Sequence, residues 1–176
     1  SDYMAERMIK NGRAQKIDKT IFDVKQEGLF YDGLMEMATT VDANNEYFVP
    51  YVWGTMGIMY NAEAVSSADA SDMKSWDALW NPKYSGKILM KDSVRDSYSI
   101  AQIRNKKSEL TGAADYATYG PAYQSVLAGI FDTCTDSTIA AAKATLLAQK
   151  PLLEKYEVDD GKESMLSGTA RAQLGL

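Results

Sequence analysis

The chain has no histidine, one cysteine and four prolines among its 176 residues. Without histidine, neither a Ser-His-Asp nor a Cys-His nucleophile can be assembled, and with a single thiol no zinc or copper donor set is at hand. Cys134 has no second cysteine to pair with, so it reads as a small, partly buried hydrophobe. No apolar run approaches the roughly 18 residues of a membrane-crossing helix, so no span is expected in this stretch. Positive charge is also in short supply. Nineteen Lys and Arg stand against 24 Asp and Glu, a net charge of −5, which excludes nucleic acid as a partner because phosphate binding needs clustered cations. A cationic ligand remains compatible with that balance.

What is present suits a folded chain: 45% hydrophobic and 24% charged residues lie in the globular range. A chain of about 150 residues buries roughly 70% of its unfolded surface, enough for a core without staples. "SDYMAERMIKNG" predicts a short helix over about 2–11, with Ser1 or Asp2 as cap and Gly12 as stop. A helix at the very first residues leads to the expectation that the natural polypeptide starts earlier. Residues 13–45 predict loops with one or two short helices.

"VPYVWGTMGIMYN" predicts two strands, about 47–52 and 55–60, parted by Trp53 and Gly54, with Pro50 at an edge or bend. Two readings stay open for it: a core aromatic beside a bulge, or a hinge in which glycines absorb dihedral change and Trp53 packs at the crossing. Further on, Ser75 caps a helical turn carrying Trp76, Leu79 and Trp80, and "KILMK" predicts a strand over 87–91. "DSVRDSYSIAQIRN" continues as a helix, so strand and helix form a βα unit. Residues 111–135 predict a loop and a short helix. "DSTIAAAKATLLAQKPLLEKYE" predicts a helix capped by Asp136 or Ser137 and stopped or kinked at Pro151, followed by a short helix ending at Gly168 and a final strand. The alternation favours an α/β fold with a mostly parallel sheet.

Two constellations carry chemistry. In open α/β sheets ligands bind at the carboxyl ends of strands, where this chain places Asp92, Ser93 and Asp96. The two carboxylates either complement the helix dipole or present Asp96 to a ligand ammonium; as an acid/base pair they would also fit a carboxylate-pair hydrolase. Tyr3, Tyr51, Trp53, Tyr60 and Trp80 fall near element ends, and aromatics with carboxylates make an amine pocket, although the same rings suit sugar stacking or plain packing.

"SDYM", "VPYVWGTMGIMYN", "SWDALWNPKYSGKILM" and "DSVRDS", in that order and spacing, resemble the spermidine/putrescine-binding proteins of polyamine ABC transporters across nearly the whole chain. The resemblance implies a type II periplasmic-binding fold, with residues 1–52 the end of lobe I, 53–176 most of lobe II, and a hinge at Tyr51, Trp53 and Gly54. It implies ligand contacts at Ser1, Tyr3 and Asp96, and at Ser93, where many members carry a second carboxylate. Leu176 stands about where a stacking tryptophan is expected. It further implies no enzyme activity and no cofactor, a polyamine ligand, and ABC permease subunits as membrane partners. The location implied is the periplasmic or extracellular face of the cytoplasmic membrane, by a lipid anchor or by fusion to a permease. Ser93 and Leu176 favour the alternative of another small solute such as a sugar, amino acid or metal complex. Because half of the expected cleft is missing, polyamine binding by this chain is expected to be weak or absent.

Overall fold

A computed structural model describes residues 2–23, 28–167 and 172–175. The chain divides into two units, Ser1–Thr55 and Met56–Leu176.

The first unit holds helices α1 (Asp2–Lys10) and α2 (Asp32–Thr39) joined by turns. Helix α1 stops where glycine permits it. Gly12 sits at φ 62°, its N–H donates to the Ile9 carbonyl at 3.0 Å, and the Arg13 N–H reaches back to Met8 at 2.8 Å, the paired bonds of a Schellman ending. Asp42 organises the end of the unit: it is buried, and its carboxylate accepts from the Tyr47 N–H at 2.6 Å. The strand expected over 47–52 is absent; residues 48–56 have no regular structure. Pro50 offers no donor, and strands exist only by pairing, so a β-prone run without a partner stays irregular.

The second unit carries the sheet. Strand β1 (Gly57–Tyr60) leads through 3₁₀ turns at Asp72–Lys74, Trp76–Trp80 and Pro82–Tyr84 to β2 (Ile88–Lys91). Helices α3 (Val94–Asn105) and α4 (Lys107–Thr111), a 3₁₀ turn at Tyr116–Thr118, α5 (Pro121–Asp132) and α6 (Asp136–Gln149) follow. A 3₁₀ turn at Lys150–Leu152 then feeds β3 (Leu153–Glu157), α7 (Gly161–Leu166) and β4 (Ala172–Gly175). The sheet order is β1-β4-β2-β3. Strand β2 runs parallel to both β3 and β4, while β1 is antiparallel to β4. This is the mixed, mostly parallel sheet expected of the sequence.

Several expectations shift by a local cause. The Trp76–Trp80 segment is a 3₁₀ turn rather than an α-helical one, with Ser75 Oγ accepting from the Asp77 N–H; five residues ahead of "NP" are too few to propagate an α-helix. Helix α6 is capped by Thr135, one residue before the expected Asp136, because Thr135 is extended (φ −124°, ψ 163°) and exchanges hydrogen bonds with Thr138 in a capping box. Helix α6 stops just ahead of Pro151, the first of the two outcomes expected there, and the residues beyond it form β3. Cys134 is exposed, since it lies in the short link between α5 and α6.

The core centres on Leu79, Ile88, Met90 and Ile100, all fully buried, with Trp80 and Tyr84 beside them. Strand β2 supplies Ile88, Leu89 and Met90 in succession with no exposed position, as a strand flanked on both edges and both faces requires. Tyr84 donates its hydroxyl to Asp72 at 2.9 Å. Burial, aided by that carboxylate, pushes its phenol up to about 12. A folded-state pKa above the unfolded value near 10 means stabilisation complete below about pH 10 and lost as pH rises toward 12. Tyr84→Phe should therefore be less stable than the parent by about 1 kcal/mol at pH 8, with the gap shrinking between pH 10 and 12. Urea melts across that range measure it, and a gap independent of pH would contradict the assignment.

Candidate functional site

The βα junction of the second unit is built by hydrogen bonds that the sequence makes locally. Ser93 is extended (φ −139°, ψ 115°) and caps α3, its hydroxyl accepting from the Asp96 N–H at 3.3 Å. The buried Ser97 donates to the Lys91 carbonyl at 2.7 Å, tying the first turn of α3 to the end of β2. The Asp92 N–H donates to the Glu157 carbonyl at 2.8 Å, extending the β2–β3 ladder by one step. Glu157 is itself buried, and its carboxylate accepts from the Gly161 N–H at 3.0 Å, fixing the turn into α7. The carboxyl ends of the two parallel strands are thus held side by side.

Asp96 stands on the first turn of α3, half-buried. Among the described residues no cation or hydrogen-bond donor satisfies its carboxylate, in contrast to Asp77, Asp69 and Asp160, each paired with a lysine. An acid here is favoured by the helix dipole, and it is left free to accept hydrogen bonds from a ligand. Asp92, by contrast, is exposed on the strand side of Ser93.

A concavity of ≈ 380 Å³ opens at this end of the sheet, with Asp92, Ser93, Val94, Tyr98 and Tyr156 among its lining residues and Ile139, Leu146 and Leu147 forming an apolar wall. Burial, and secondarily the charge of Asp92, raise the Tyr156 phenol above its ordinary range. Lys91, Lys143 and Lys150 also line the concavity, a poor setting for a cation. Asp96 is not among the lining residues. The structure therefore brings Ser93 and Asp96 together across one helical turn, but turns only Ser93 toward this hollow. Tyr156 escaped sequence reasoning because its strand looks like continued helix; the proline at 151 was the available signal.

The other expected positions, Leu176 excepted, lie in the first unit. Tyr3, in the first turn of α1, is exposed, and its N–H meets the Asp2 carboxylate at 2.7 Å. Ser1 and Leu176 lie outside the described residues. Tyr51 is 96% and Trp53 58% exposed, so the Trp53 indole is not a core group; a Cβ on Gly54 would meet nothing within 4 Å. Among the described residues no group of three or more Cys, Asp and Glu side chains could hold a metal ion, and no helix is long and apolar enough to cross a membrane.

Comparison with known proteins places this architecture. The chain is 37% identical over 101 residues to the spermidine/putrescine-binding periplasmic protein of Escherichia coli strain K12, an alignment covering 57% of the chain and 27% of that protein. It is 25% identical over 177 aligned positions to the putrescine-binding periplasmic protein SpuD of Pseudomonas aeruginosa, covering 99% of the chain and 43% of the relative. In structure it superimposes on the TpPotD lipoprotein of Treponema pallidum with a TM-score of 0.72 at 21% identity, over 98% of the chain and 46% of that protein. The spermidine/putrescine ABC transporter substrate-binding protein PotD of Streptococcus pneumoniae gives 0.64 at 19% identity, over 98% and 44%. The chain spans less than half the length of each of these relatives, and its fold is that of one lobe of a periplasmic binding protein with part of the other. Residues 1–118 match the family described as bacterial extracellular solute-binding protein, and the chain belongs to that family, whose members bind solutes rather than transform them.

Proposed function

We propose that the chain is part of the extracytoplasmic solute-binding component of an ABC importer, that its ligand is a polyamine, and that Asp96 takes one of the ligand's ammonium groups. The observation that carries this reading is the half-buried carboxylate of Asp96, unspent among the described residues at the carboxyl end of a parallel sheet, in a chain whose relatives are named for spermidine and putrescine. A carboxylate hydrogen-bonds an ammonium with charge assistance, and the overall charge of −5 favours the approach of a polycation.

Ser93 supports the site by fixing the first turn of α3, and Ser1 and Tyr3 are assigned further ligand contacts by the family resemblance. Residues 1–52 and 53–176 belong to lobe I and lobe II, with the crossing at Tyr51, Trp53 and Gly54. The permease subunits of the importer are its membrane partners, reached from outside the cytoplasmic membrane, with attachment by lipid anchor or fusion. The lysines of the nearby hollow make a second reading, a different small solute, worth testing in the same experiment.

Thermal shift with spermidine, putrescine, glucose and glutamate separates the readings. Polyamine at about ten times its Kd should add about 1.4 kcal/mol of stability, a rise of about 3–6 °C for a chain of this size. Asp96→Asn should remove that rise while Asp92→Asn keeps most of it. The shift on adding ligand is the readout, because losing the helix-dipole contribution of Asp96 lowers the unliganded stability by about 0.3–1 kcal/mol on its own. Stabilisation by glucose or glutamate alone, or an undiminished polyamine shift in Asp96→Asn, would overturn the assignment.

A further inference from the structure

At the opposite end of α3 lies a second, separate pocket of ≈ 270 Å³. Its helix residue Arg104 stands eight residues beyond Asp96, about 12 Å along the axis, toward the amino ends of the parallel strands and away from the end where open α/β sheets bind ligands. Its charge is opposite to that of the chain: Lys74, Arg104 and Lys107 line it against the single carboxylate of Asp77. Asp77 is shared, its two oxygens accepting from Arg104 Nε at 3.0 Å and Lys107 Nζ at 2.5 Å. The two cations, Lys107 foremost, hold its carboxyl below the ordinary range. Lys74 has no carboxylate partner among the described residues. The guanidinium of Arg104 lies over the Trp80 ring, 4.8 Å from its centroid, which orients the fork.

The facing wall is made of three tyrosines. Tyr119 packs edge to face against both Tyr116 and Tyr123, and the latter two are tilted against each other, with centroids 5.2 to 6.2 Å apart. The chain holds them there at some cost. Tyr119 is in the left-handed region at φ 53°, which is uncommon for a bulky side chain. Gly120 is confined, since a Cβ there would fall 2.4 Å from the Asp115 carboxylate. Asp115 in turn accepts from the Ala122 and Tyr123 N–H groups at 2.9 and 2.7 Å, locking the loop to the start of α5. Packing alone does not account for this, because Tyr119 remains 61% exposed. Among the described residues none of the three hydroxyls has a hydrogen-bond partner. Strained backbone that holds exposed side chains around a cavity is where binding function concentrates.

The donors of this pocket outnumber its acceptors: an ammonium, the free end of a guanidinium and three phenols face one carboxylate already shared by two cations. We propose that it is a second ligand site, built for a small organic anion, a carboxylate or phosphate ester attached to a flat ring, whose charged group meets Lys74 and Arg104 while the ring lies against the tyrosine wall. Bidentate guanidinium contacts suit such anions, and ring edges and faces of tyrosine suit a flat body. A polyamine is excluded by like charge. The site is independent of the polyamine reading and stands or falls separately.

Two-dimensional amide NMR of the chain titrated with phenyl phosphate tests it, with inorganic phosphate and spermidine as companion probes. Phenyl phosphate should give saturable shifts over residues 104–123 with a Kd in about the millimolar range, leaving 93–98 unmoved, and should bind about tenfold tighter than inorganic phosphate. Lys74→Met and Tyr119→Phe, both at exposed side chains and neither removing a packed group, should each weaken it about three- to tenfold at unchanged melting temperature. No saturable shift over 104–123, equal affinity for bare phosphate, displacement by spermidine, or undiminished affinity in both variants would each overturn the proposal.

Discussion

Trp80→Ala should cost the Met56–Leu176 unit about 3–5 kcal/mol, the range for emptying a buried aromatic site, which for a chain of this length is a fall of about 6–20 °C in melting temperature. Three contacts converge on this one ring. It is buried beside Leu79 and Ile88 in the core. Its indole N–H donates to the Thr145 carbonyl of α6 at 2.9 Å, and the Arg104 guanidinium of α3 covers its face at 4.8 Å. The alanine variant therefore loses apolar burial, loses the hydrogen bond that ties the 3₁₀ turn to α6 and frees a cation that had been held over the ring. Trp80→Phe retains much of the volume and the ring face but not the donor, and should recover about half of the loss or more. Urea melts followed by far-ultraviolet circular dichroism measure both. If the two variants were equally unstable, the hydrogen bond to Thr145 rather than the packing would be the main contribution; if alanine cost under about 1 kcal/mol, Trp80 would not be a core element at all.

The elements legible in the sequence were those whose ends are set by neighbours in the chain. The Gly12 stop of α1 depends on residues within five positions and is found as expected; the cap of α3 is equally local, although Ser93 rather than a neighbouring aspartate fills it. A strand depends on distant partners. The apolar run at 47–52 has β propensity but finds no ladder, whereas 153–157, which follows a helix and a proline and reads as its continuation, becomes β3 because β2 lies open beside it. Adjacent candidates of one chemistry are a further limit: Thr135, Asp136 and Ser137 can each cap α6, and only the backbone angles choose Thr135.

The same division runs through the sites. Asp96 was a candidate because a strand followed by a helix marks the end where open α/β sheets bind ligands, and Ser93 was one through the family resemblance. Tyr156 was not, since it reaches the same end from a strand more than sixty positions later. The tyrosine wall gave only a composition signal, "YATYGPAY", and nothing in that string reveals the cations of Lys74 and Arg104 opposite it. Those come from the 3₁₀ turns and from the far end of α3.

Gln149 offers the other large effect. Its side chain is fully buried at the end of α6, and its amide donates to the Leu79 carbonyl at 2.9 Å, while its own carbonyl oxygen has no hydrogen-bond partner among the described residues. The residue thus carries one favourable and one unfavourable term in the same group. Gln149→Ala discards the bond and leaves the Leu79 carbonyl unsatisfied, costing about 1–3 kcal/mol, and adds the penalty of a cavity where an amide had been, for a total of about 3–5 kcal/mol. Gln149→Met keeps the volume and also removes the orphaned oxygen, whose desolvation the native fold already bears, so its loss should be only about 1–2 kcal/mol. The ordering of the two is the informative quantity. A methionine variant as unstable as the alanine one would mean that the carbonyl oxygen is satisfied by a buried water, whose removal then costs as much as the cavity; a methionine variant clearly more stable confirms a dry site in which the polar group serves only to tie α6 to the Trp76–Trp80 turn.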